Sequence, residues 1–470
     1  MLLTLFSFLV LLLILIFVHE LGHFLAAKAL GVKVERFSLG FPPRIWSRKI
    51  GETDYQIGWL PLGGYVKLFG EMPGEVIPED QRAVSFTHKP LWVKALVVFA
   101  GPFFNIVFAV AVMWLLFMVV GIQHAAPVVG LIDENGPAYQ AGLRLGDKVV
   151  RVNGQEISYF DQITDFPEQT AGQALTIEAE RQGRILSFAV TPVQQETKTI
   201  LGDPFTFWNL GLRPRSSPTV DRVFAGKPAE EAGLKSGDLI VSIDGRPIKD
   251  WAELVEVVQG PQEARGTSRP LDLRPLDFVV ERDGQTLRFE IAPAAEPSLT
   301  IEGETVFTPM VGISNKPEIV VESLGPIRAA GYSFKDCWSS IELTYATLYR
   351  LLAVKISPKV MGGPILIAEA AGLKIREGLA DFVALMVLIS VNLAIINLVP
   401  LPVLDGGQLL FFLIEAIRRK PLSLRVREVT QLIGVCALVG LMILVFYNDI
   451  SRIVTRKAGP PAAVQTESTE

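Results

Sequence analysis

The sequence predicts a polytopic α-helical membrane protein with four transmembrane helices and two tandem homologous domains inserted between helices 2 and 3. Two observations lead to this fold class: four long windows contain no Asp, Glu, Lys or Arg, and one sequence pattern occurs twice between the second and third windows. The composition agrees, because 50% of the 470 residues are hydrophobic and 20% are charged, whereas soluble globular chains carry about 25% charged residues. We therefore do not expect a purely water-soluble protein.

Each charge-free window is long enough for one transmembrane helix, since about 20 apolar helical residues cross the hydrocarbon layer of a bilayer. The windows are Met1–Val18, Ala95–Ile132, Phe382–Leu404 and Val429–Asn448. The first window lacks the basic start and the small-residue cleavage site of a secretory signal peptide. We therefore expect it to be retained as the first transmembrane helix.

The orientation follows from the basic residues, because Lys and Arg near membrane ends tend to stay in the cytoplasm. They are concentrated in the segment after the first window and in the short loop before the last one. We therefore expect both loops to be cytoplasmic. Both termini and the long segment between the second and third helices then lie on the opposite side, which in a bacterium is the periplasm.

These expectations divide the whole chain into segments. In order, we expect a first transmembrane helix over residues 1–27, a cytoplasmic segment over 28–94, a second transmembrane helix over 95–122, the two repeated domains over 127–214 and 218–314, periplasmic amphipathic or connecting helices over 320–380, a third transmembrane helix over 381–407, a cytoplasmic loop over 408–428, a fourth transmembrane helix over 429–449 and a flexible tail over 450–470.

Charge and cysteine content exclude two other kinds of site. The formal net charge is −5 and no long Lys/Arg cluster occurs, so we expect no nucleic-acid partner. The two cysteines, Cys337 and Cys436, lie far apart in different contexts, which argues against a disulfide framework and against a thiolate metal site. The Pro- and Arg-rich stretch Pro261–Pro275 predicts a loop inside the second repeated domain.

The repeat consists of Gly136–Asp147 and Lys227–Asp238, which share the pattern Pro-Ala-x-x-Ala-Gly-Leu-x-x-Gly-Asp. Each copy continues into an apolar run and a turn, Asn153-Gly154 or Asp244-Gly245, as in a β-hairpin. The pattern resembles PDZ domains of the bacterial protease-associated type. A PDZ groove can add an extended peptide to a sheet edge, but the usual carboxylate-binding loop is not recognisable around Val129–Ile132. Whether the domains bind a peptide tail, or serve as spacers or filters against bulky ectodomains, stays open.

A possible metal site ends the first apolar window. His19-Glu20-Leu21-Gly22-His23 is a His-Glu-x-x-His sequence, whose spacing places two imidazoles one helical turn apart on the same face with a carboxylate beside them. That geometry suits zinc. Ionisable side chains at membrane depth are costly and usually mark function, so a role in helix packing alone explains this group of three poorly.

A third ligand is needed, because a catalytic zinc normally takes three protein ligands. The two other histidines, His88 and His124, lie in or beside loops. Asp405 directly follows the third charge-free window, in the segment Asn397–Gly407 with two prolines that interrupt the helix and two glycines that let the backbone bend. We expect Asp405 to turn toward the membrane interior; the alternative is a helix-end carboxylate at the interface.

Taken together, these motifs resemble the site-2 protease family of intramembrane zinc metalloproteases. The resemblance covers nearly the whole chain, with His-Glu-x-x-His in the first helix, two PDZ domains between helices 2 and 3, and Asn-x-x-Pro-x-Pro-x-Leu-Asp-Gly-Gly in the third. It implies a Zn²⁺ ion bound by His19, His23 and Asp405, with Glu20 as the catalytic base. It places this site within the inner membrane of a bacterium, near the cytoplasmic side.

The resemblance also implies substrate-binding residues. The stretch Trp59–Lys67 is similar to the membrane-reentrant β-hairpin of the family, here expected near residues 55–69, which is thought to hold the substrate strand. Judged by composition alone, its Pro-Leu-Gly-Gly sequence also suits an ordinary cytoplasmic β-turn. The implied substrate-binding residues are Asn397, Pro400, Pro402, Gly63, Gly64 and Tyr65.

The implied activity is cleavage of transmembrane segments in single-span membrane proteins after a first cut has removed their ectodomain. The implied partners are the lipid bilayer, an anti-sigma factor of the envelope stress response and remnant signal peptides. Two alternatives are a membrane-tethered PDZ scaffold with an inert metal motif and a membrane-anchored zinc protease whose site lies in water. A scaffold would have no reason to keep all of His19, Glu20, His23 and Asp405. A protease with its site in water does not explain why the His-Glu-x-x-His motif lies at the end of an apolar window.

The expected orientation can be tested by cysteine labelling of intact cells. In a variant whose native cysteines are replaced by alanine, a membrane-impermeant thiol reagent should label Glu230→Cys in the second repeated domain and should miss Lys420→Cys in the last short loop, because the positive-inside rule puts them on opposite sides. The reverse pattern would overturn the assigned topology.

Overall fold

The computed structural model describes residues 2–72, 76–199, 201–260 and 273–458. These residues form two compact units. The membrane unit comprises the chain up to Gly121 and Ser323–Ser451, and the repeat unit comprises Ile122–Glu322 and the residues from Arg452 onward. Most of the expected Pro/Arg-rich loop, residues 261–272, lies outside the described residues, and so does the expected tail from residue 459 onward.

The described residues contain eleven α-helices. They are α1 (Leu2–Ala29), α2 (Leu91–Val120), α3 (Pro137–Gln140), α4 (Phe160–Gln169), α5 (Pro228–Ala232), α6 (Trp251–Gln259), α7 (Pro326–Leu352), α8 (Pro364–Glu377), α9 (Leu379–Asn397), α10 (Asp405–Arg418) and α11 (Leu424–Ala458).

Twenty strands are found in the same part of the chain. They are β1 (Val34–Ile50), β2 (Thr53–Leu68), β3 (Ile122–Ala125), β4 (Val129–Ile132), β5 (Lys148–Val152), β6 (Gln155–Glu156), β7 (Leu175–Arg181), β8 (Arg184–Val190), β9 (Val193–Lys198), β10 (Pro204–Asn209), β11 (Leu212–Pro214), β12 (Ser216–Val223), β13 (Leu239–Ile243), β14 (Arg246–Pro247), β15 (Leu276–Arg282), β16 (Gln285–Ile291), β17 (Ala294–Leu299), β18 (Thr305–Met310), β19 (Ile313–Pro317) and β20 (Ile319–Glu322).

Four helices are long and apolar enough to cross a membrane: α1, α2, α9 and α11, with mean hydropathies of 2.9, 2.6, 2.4 and 2.5 over their most apolar windows. Each charge-free window of the sequence overlaps one of these helices. The number of candidate spans therefore agrees with the expected membrane protein.

The ends of two of these helices differ from the expected bounds. The third helix was expected over 381–407, but α9 ends at Asn397 and Asp405 begins a new helix, because Pro400 and Pro402 cannot continue a regular helix. The last helix was expected over 429–449 with a flexible tail from 450, but α11 continues to Ala458. The charged residues after Asn448 lower the hydropathy, but the helix continues through them.

The first hairpin is longer than the sequence suggested. β1 and β2 cover residues 34–68, and the chain reverses at Gly51 and Glu52. Residues 34–39 pair with 64–68 on one side and with 54–57 on the other, and residues 44–50 pair with 53–58. Two long strands thus build a four-segment sheet, in which the segment 64–68 lies at one edge.

In the repeat unit, the two sequence copies form similar structures. β5, β7 and β8 of the first copy and β13, β15 and β16 of the second are successive neighbours in antiparallel sheets. Each copy also has its own hydrophobic core, centred on residues such as Ile163 in the first and Phe278 in the second. Val129–Ile132, where a carboxylate-binding loop was sought, forms β4 and pairs with β11.

The expected hairpin turns of the two copies are present. Asn153 and Gly154 have φ values of 50° and 79°, and Asp244 and Gly245 have values of 50° and 75°. Positive φ at both central residues is what a type I′ turn needs, and Asn-Gly and Asp-Gly are the sequences that supply it most readily.

One buried carboxylate fastens α11 to α8 within the membrane unit. Asp449 is 2% exposed, and it accepts hydrogen bonds from the backbone N–H groups of Gly363, Ile365 and Leu366 at 2.9, 3.0 and 3.2 Å. The first N–H groups of a helix have no partner inside that helix. Asp449 therefore caps the start of α8 from a neighbouring helix.

This cap predicts a local loss of stability in Asp449→Ala. Removing it should cost about 1 to 2 kcal/mol at the start of α8, as for other lost helix caps, and should speed amide hydrogen exchange in the first turn of α8. Asp381→Ala, which removes an exposed carboxylate from the first turn of α9, is the matched control and should leave exchange in α8 unchanged. Equal protection of α8 in both variants would contradict the assigned cap.

Candidate metal centre

Three side chains from two helices come together in the membrane unit. His19 and His23 lie one turn apart on α1, and Asp405 is the first residue of α10. Asp405 Oδ2 lies 3.2 Å from His19 Nε2 and 3.7 Å from His23 Nε2, and the two Nε2 atoms are 3.2 Å apart. Among the described residues, this is the group of His, Cys, Asp and Glu whose ligand atoms could hold a metal ion.

Two glycines allow Asp405 to reach this position. A Cβ on Gly406 would lie 2.3 Å from the carbonyl oxygen of Leu398, and a Cβ on Gly407 would lie 2.1 Å from that of Leu401. Both glycines are therefore needed because the segment between α9 and α10 passes directly over the start of α10. The sequence predicted that they would let the backbone bend, but their role is close approach, since neither has a positive φ.

Helix α2 orients the second imidazole. His23 Nδ1 lies 2.9 Å from the carbonyl oxygen of Val97, so Nδ1–H donates to this oxygen and Nε2 keeps its lone pair for a ligand bond. A hydrogen bond of this kind to the other ring nitrogen is the usual support of a metal-binding histidine.

Close packing of α2 against both imidazoles depends on Gly101. A Cβ at this position would lie 2.3 Å from His23 Nε2 and 2.8 Å from His19 Cε1. One turn further along α2, the fully buried Asn105 places its amide Nδ2 3.4 Å from His19 Nδ1. Neither residue was predicted from the sequence; the available signal was a Gly-Pro-Phe-Phe-Asn run inside the second apolar window.

Glu20 lies between the metal-site face of α1 and the edge of the first sheet. Its carboxylate accepts a hydrogen bond from the backbone N–H of Val66. A Cβ on the neighbouring Gly64 would lie 3.1 Å from Glu20 Cγ and 3.0 Å from Ile16 Cγ2. The edge segment 64–68 therefore runs directly beside the carboxylate expected to act as base.

The sheet extends along α1 from this point to the end of the helix. Lys28 Nζ donates to Glu52 Oε1 at the hairpin turn, at 2.5 Å, whereas Gly64 contacts Glu20. Lys28 follows Glu20 by eight positions, which corresponds to about 12 Å along α1 at 1.5 Å per residue. Exposed apolar side chains of the first sheet include Ile45, Trp46, Ile50, Ile57 and Trp59.

The residues expected to bind substrate lie around this sheet edge and in the segment before Asp405. Gly63, Gly64 and Tyr65 are inside β2. The two segments of β2 that flank residues 36–39, namely 54–57 and 64–67, run in opposite directions, so the chain reverses around Pro-Leu-Gly-Gly and the alternative of a turn there stays open. The Tyr65 hydroxyl accepts from Arg36 at 2.9 Å. Asn397 is the last residue of α9. Pro400 and Pro402, which were also expected to bind substrate, lie in the segment between α9 and α10.

The other two histidines have different surroundings. His88 Nδ1 lies 3.3 Å from Ser85 Oγ. In the repeat unit, His124 stacks on Tyr159 and lies between Asp161 and Glu322, at 3.0 and 3.3 Å. The two carboxylates approach opposite ring nitrogens of His124, so these three residues do not converge on one point as metal ligands would.

The donor set of the centre fits zinc. Two imidazole nitrogens and one carboxylate oxygen are ligands that zinc prefers, and three protein ligands leave one position open for chemistry. The hydrogen bond from His23 to Val97 already presents the correct nitrogen. Arranged in this way, the residues can hold a Lewis acid next to a carboxylate and a strand edge.

Comparison with known proteins agrees with this chemistry. A sequence model of peptidase family M50 matches residues 7–441. The chain is 35% identical over 463 residues to the regulator of sigma-E protease RseP of Salmonella typhimurium and 36% identical over 468 residues to that of Escherichia coli, in each case over 95% of this chain and 98% of the relative. A protein of Vibrio cholerae named a putative zinc metalloprotease is 33% identical over 463 residues, with the same coverage.

A solved PDZ domain, from an SdrC-like protein of Listeria monocytogenes, matches 22% of this chain and 90% of its own length. The identity is 20% and the TM-score is 0.16, which is too low to support a fold assignment.

The packing at Gly101 predicts that Gly101→Ala disrupts the metal centre. The added Cβ overlaps both imidazoles, so zinc affinity should fall by roughly tenfold or more, the size of effect that follows when supports of metal ligands are disturbed. Zinc retained per chain after dialysis against a chelator measures this. Gly440→Ala, where nothing lies within 4 Å of the added atom, is the control. Equal zinc retention in both variants would contradict the assigned packing.

Proposed function

The chain belongs to peptidase family M50 and is a zinc metalloprotease, and from this premise we propose that it cleaves peptide bonds inside the transmembrane segments of single-span membrane proteins. The observation that carries the proposal is the meeting of His19, His23 and Asp405 at the end of an apolar helix, with Glu20 beside them. A protease with its site in water would have no need to place His19, Glu20 and His23 in a candidate membrane span.

In this proposal His19, His23 and Asp405 hold the zinc ion. Zinc supplies Lewis acidity that polarises a substrate carbonyl and makes water more acidic. The Glu20 carboxylate accepts a proton from the attacking water and passes it to the leaving amine, as a general base and then a general acid. The N–H of Val66, which bonds to Glu20, keeps this carboxylate beside the centre.

The substrate has to unwind before it is cut, because the amides of a transmembrane helix are shielded by helical hydrogen bonds. An extended segment in the membrane needs new partners for its backbone, and the edge of a sheet can supply them by strand addition. The edge segment 64–68 is next to Glu20, so pairing there would bring the unwound segment to the site. Gly63, Gly64 and Tyr65 would contact the substrate from the sheet, and Asn397, Pro400 and Pro402 from the segment before Asp405.

The proposed substrate class is supported by the relatives that carry the name regulator of sigma-E protease. We infer that the substrates are an anti-sigma factor of the envelope stress response, after its ectodomain has been cut off, and remnant signal peptides. The protein would lie in the bacterial inner membrane with both termini and the repeats in the periplasm. The repeats would be PDZ domains, which is supported by their shared pattern and by their equivalent sheets.

The proposed division of roles predicts different outcomes for the base and for a ligand. Glu20→Gln should remove proteolysis while one zinc per chain remains, because Glu20 is not a ligand. Asp405→Ala should lose zinc as well as proteolysis, because two ligands hold zinc poorly. Both are measured on purified full-length protein in detergent, with a trimmed single-span substrate and with metal analysis.

The control for these variants is Glu52→Gln, which removes a carboxylate that pairs with Lys28 at the hairpin turn. It should change neither zinc content nor cleavage. Cleavage by Glu20→Gln would refute the assignment of the base, and full zinc occupancy in Asp405→Ala would show that another residue is the third ligand. An inert metal motif in a PDZ scaffold would be indicated if the wild-type protein bound zinc but cut nothing.

A further inference from the structure

The side-chain amide of Asn105 on α2 is fully buried but only partly hydrogen-bonded. Its backbone carbonyl accepts from Ser390 Oγ at 2.9 Å, and its Nδ2 lies 3.4 Å from His19 Nδ1. Its Oδ1 has no hydrogen-bond partner among the described residues. A buried acceptor without a partner costs about 1 to 3 kcal/mol, so an amide at this position needs an explanation.

The protonation of His19 decides which way this amide points. If Nε2 of His19 is a metal ligand, the proton of the neutral ring is on Nδ1. Nδ1–H then faces the amide Nδ2, and two donors face each other. The oxygen and nitrogen of an Asn amide have nearly the same shape, and their assignment rests on the hydrogen bonds they make. Turning the amide over brings Oδ1 to the position 3.4 Å from Nδ1, where it accepts from Nδ1–H, and Nδ2 takes the position at which Oδ1 had no donor.

We propose that Asn105 is a positioning residue for the metal centre: its Oδ1 accepts a hydrogen bond from His19 Nδ1–H and thereby fixes Nε2 as the ligand atom. The neighbouring imidazole is held in the same way, since His23 Nδ1 lies 2.9 Å from the carbonyl oxygen of Val97. Helix α2 then supplies the acceptors for both imidazoles, one from its backbone and one from a side chain. The inference rests on the proposed ligand set.

A purely structural role for Asn105 predicts different behaviour. In that case the amide would only fill space between α1, α2 and α9, and any side chain of similar size would serve. The proposal instead requires an acceptor at this position. Asn105→Asp keeps an acceptor oxygen, and carboxylates are common partners of zinc-binding histidines, whereas Asn105→Leu keeps the approximate size and removes the acceptor.

The first experiment measures zinc affinity by chelator competition on purified full-length variants. Asn105→Leu should bind zinc roughly 10 to 100 times more weakly than the wild type, which is the usual effect of losing such a partner, while Asn105→Asp should bind it about as tightly. Ser390→Ala removes a hydroxyl bonded to the same residue without affecting its side chain, and should leave the affinity unchanged. Equal losses in the Leu and Asp variants, or no loss in the Leu variant, would overturn the proposal.

A second measurement on the wild-type protein does not depend on the folding of any variant. The chain has four histidines, so ¹⁵N-histidine NMR of the zinc-loaded protein can resolve each ring. We expect His19 to carry its proton on Nδ1, close to the side-chain carbonyl carbon of a ¹³C-labelled Asn105. A proton on Nε2 of His19, or no contact with Asn105, would refute the proposal.

His23→Ala separates this inference from the proposed function. If it keeps its zinc, the ligand set itself is wrong and the inference fails with it. If it loses zinc while Asn105→Leu binds normally, the ligand set stands and only the role of Asn105 is refuted.

Discussion

The free-energy cost of ionisable side chains inside an apolar helix bundle constrains the rest of the membrane unit. Two imidazoles and two carboxylates lie at the end of an apolar helix or beside it, and such groups are stable there only when they are paired or bind a metal. The structure brings the ligand atoms of His19, His23 and Asp405 to within 4.8 Å of one another and gives Glu20 a backbone donor. The positions of α2, α10 and the first sheet follow from this requirement.

Non-helical backbone close to the centre obeys a second constraint. Irregular backbone at membrane depth is tolerated only where its polar groups are satisfied or line a cavity. In the first sheet, two strands fold into four paired segments, and this pairing gives hydrogen-bond partners to backbone groups inside the sheet. The segment between α9 and α10 satisfies some of its own backbone groups with tight turns, in which the N–H groups of Leu401 and Leu404 bond to Val399 and Leu401. The first sheet leaves its edge segment 64–68 next to α1, and the segment between α9 and α10 leaves the Asp405 carboxylate next to the same helix.

Much of this arrangement could be predicted from the sequence, because its signals are local. The absence of charge marks the four candidate spans, the spacing of His19 and His23 follows from the helical period, and Asp405 is a carboxylate next to an apolar window. The Asn-Gly and Asp-Gly turns of the repeats were also predictable, since few residues adopt positive φ at two successive positions.

The remaining features depend on contacts between distant parts of the chain. The Gly-Pro-Phe-Phe-Asn run marks Gly101 and Asn105 as unusual in an apolar window, but it does not reveal that α2 packs on the imidazoles of α1. β1 and β2 are joined at Gly51 and Glu52, and residues 36–39 pair with two different segments of β2; local composition does not reveal this folded arrangement. Likewise, the cap that Asp449 provides for α8 joins residues more than eighty positions apart. The helix end at 458 was missed because the charged residues after Asn448 lower the hydropathy without ending α11.

We propose that one zinc ion is bound by two imidazoles and one carboxylate within the membrane unit. Zinc X-ray absorption spectroscopy of the purified full-length protein tests this ligand set, because it counts imidazole, oxygen and sulfur ligands. We expect one zinc per chain with two imidazoles and otherwise oxygen ligands. Any zinc that His19→Ala still retains should have one imidazole fewer. A third imidazole, a sulfur ligand, or an unchanged spectrum in His19→Ala would contradict this ligand set.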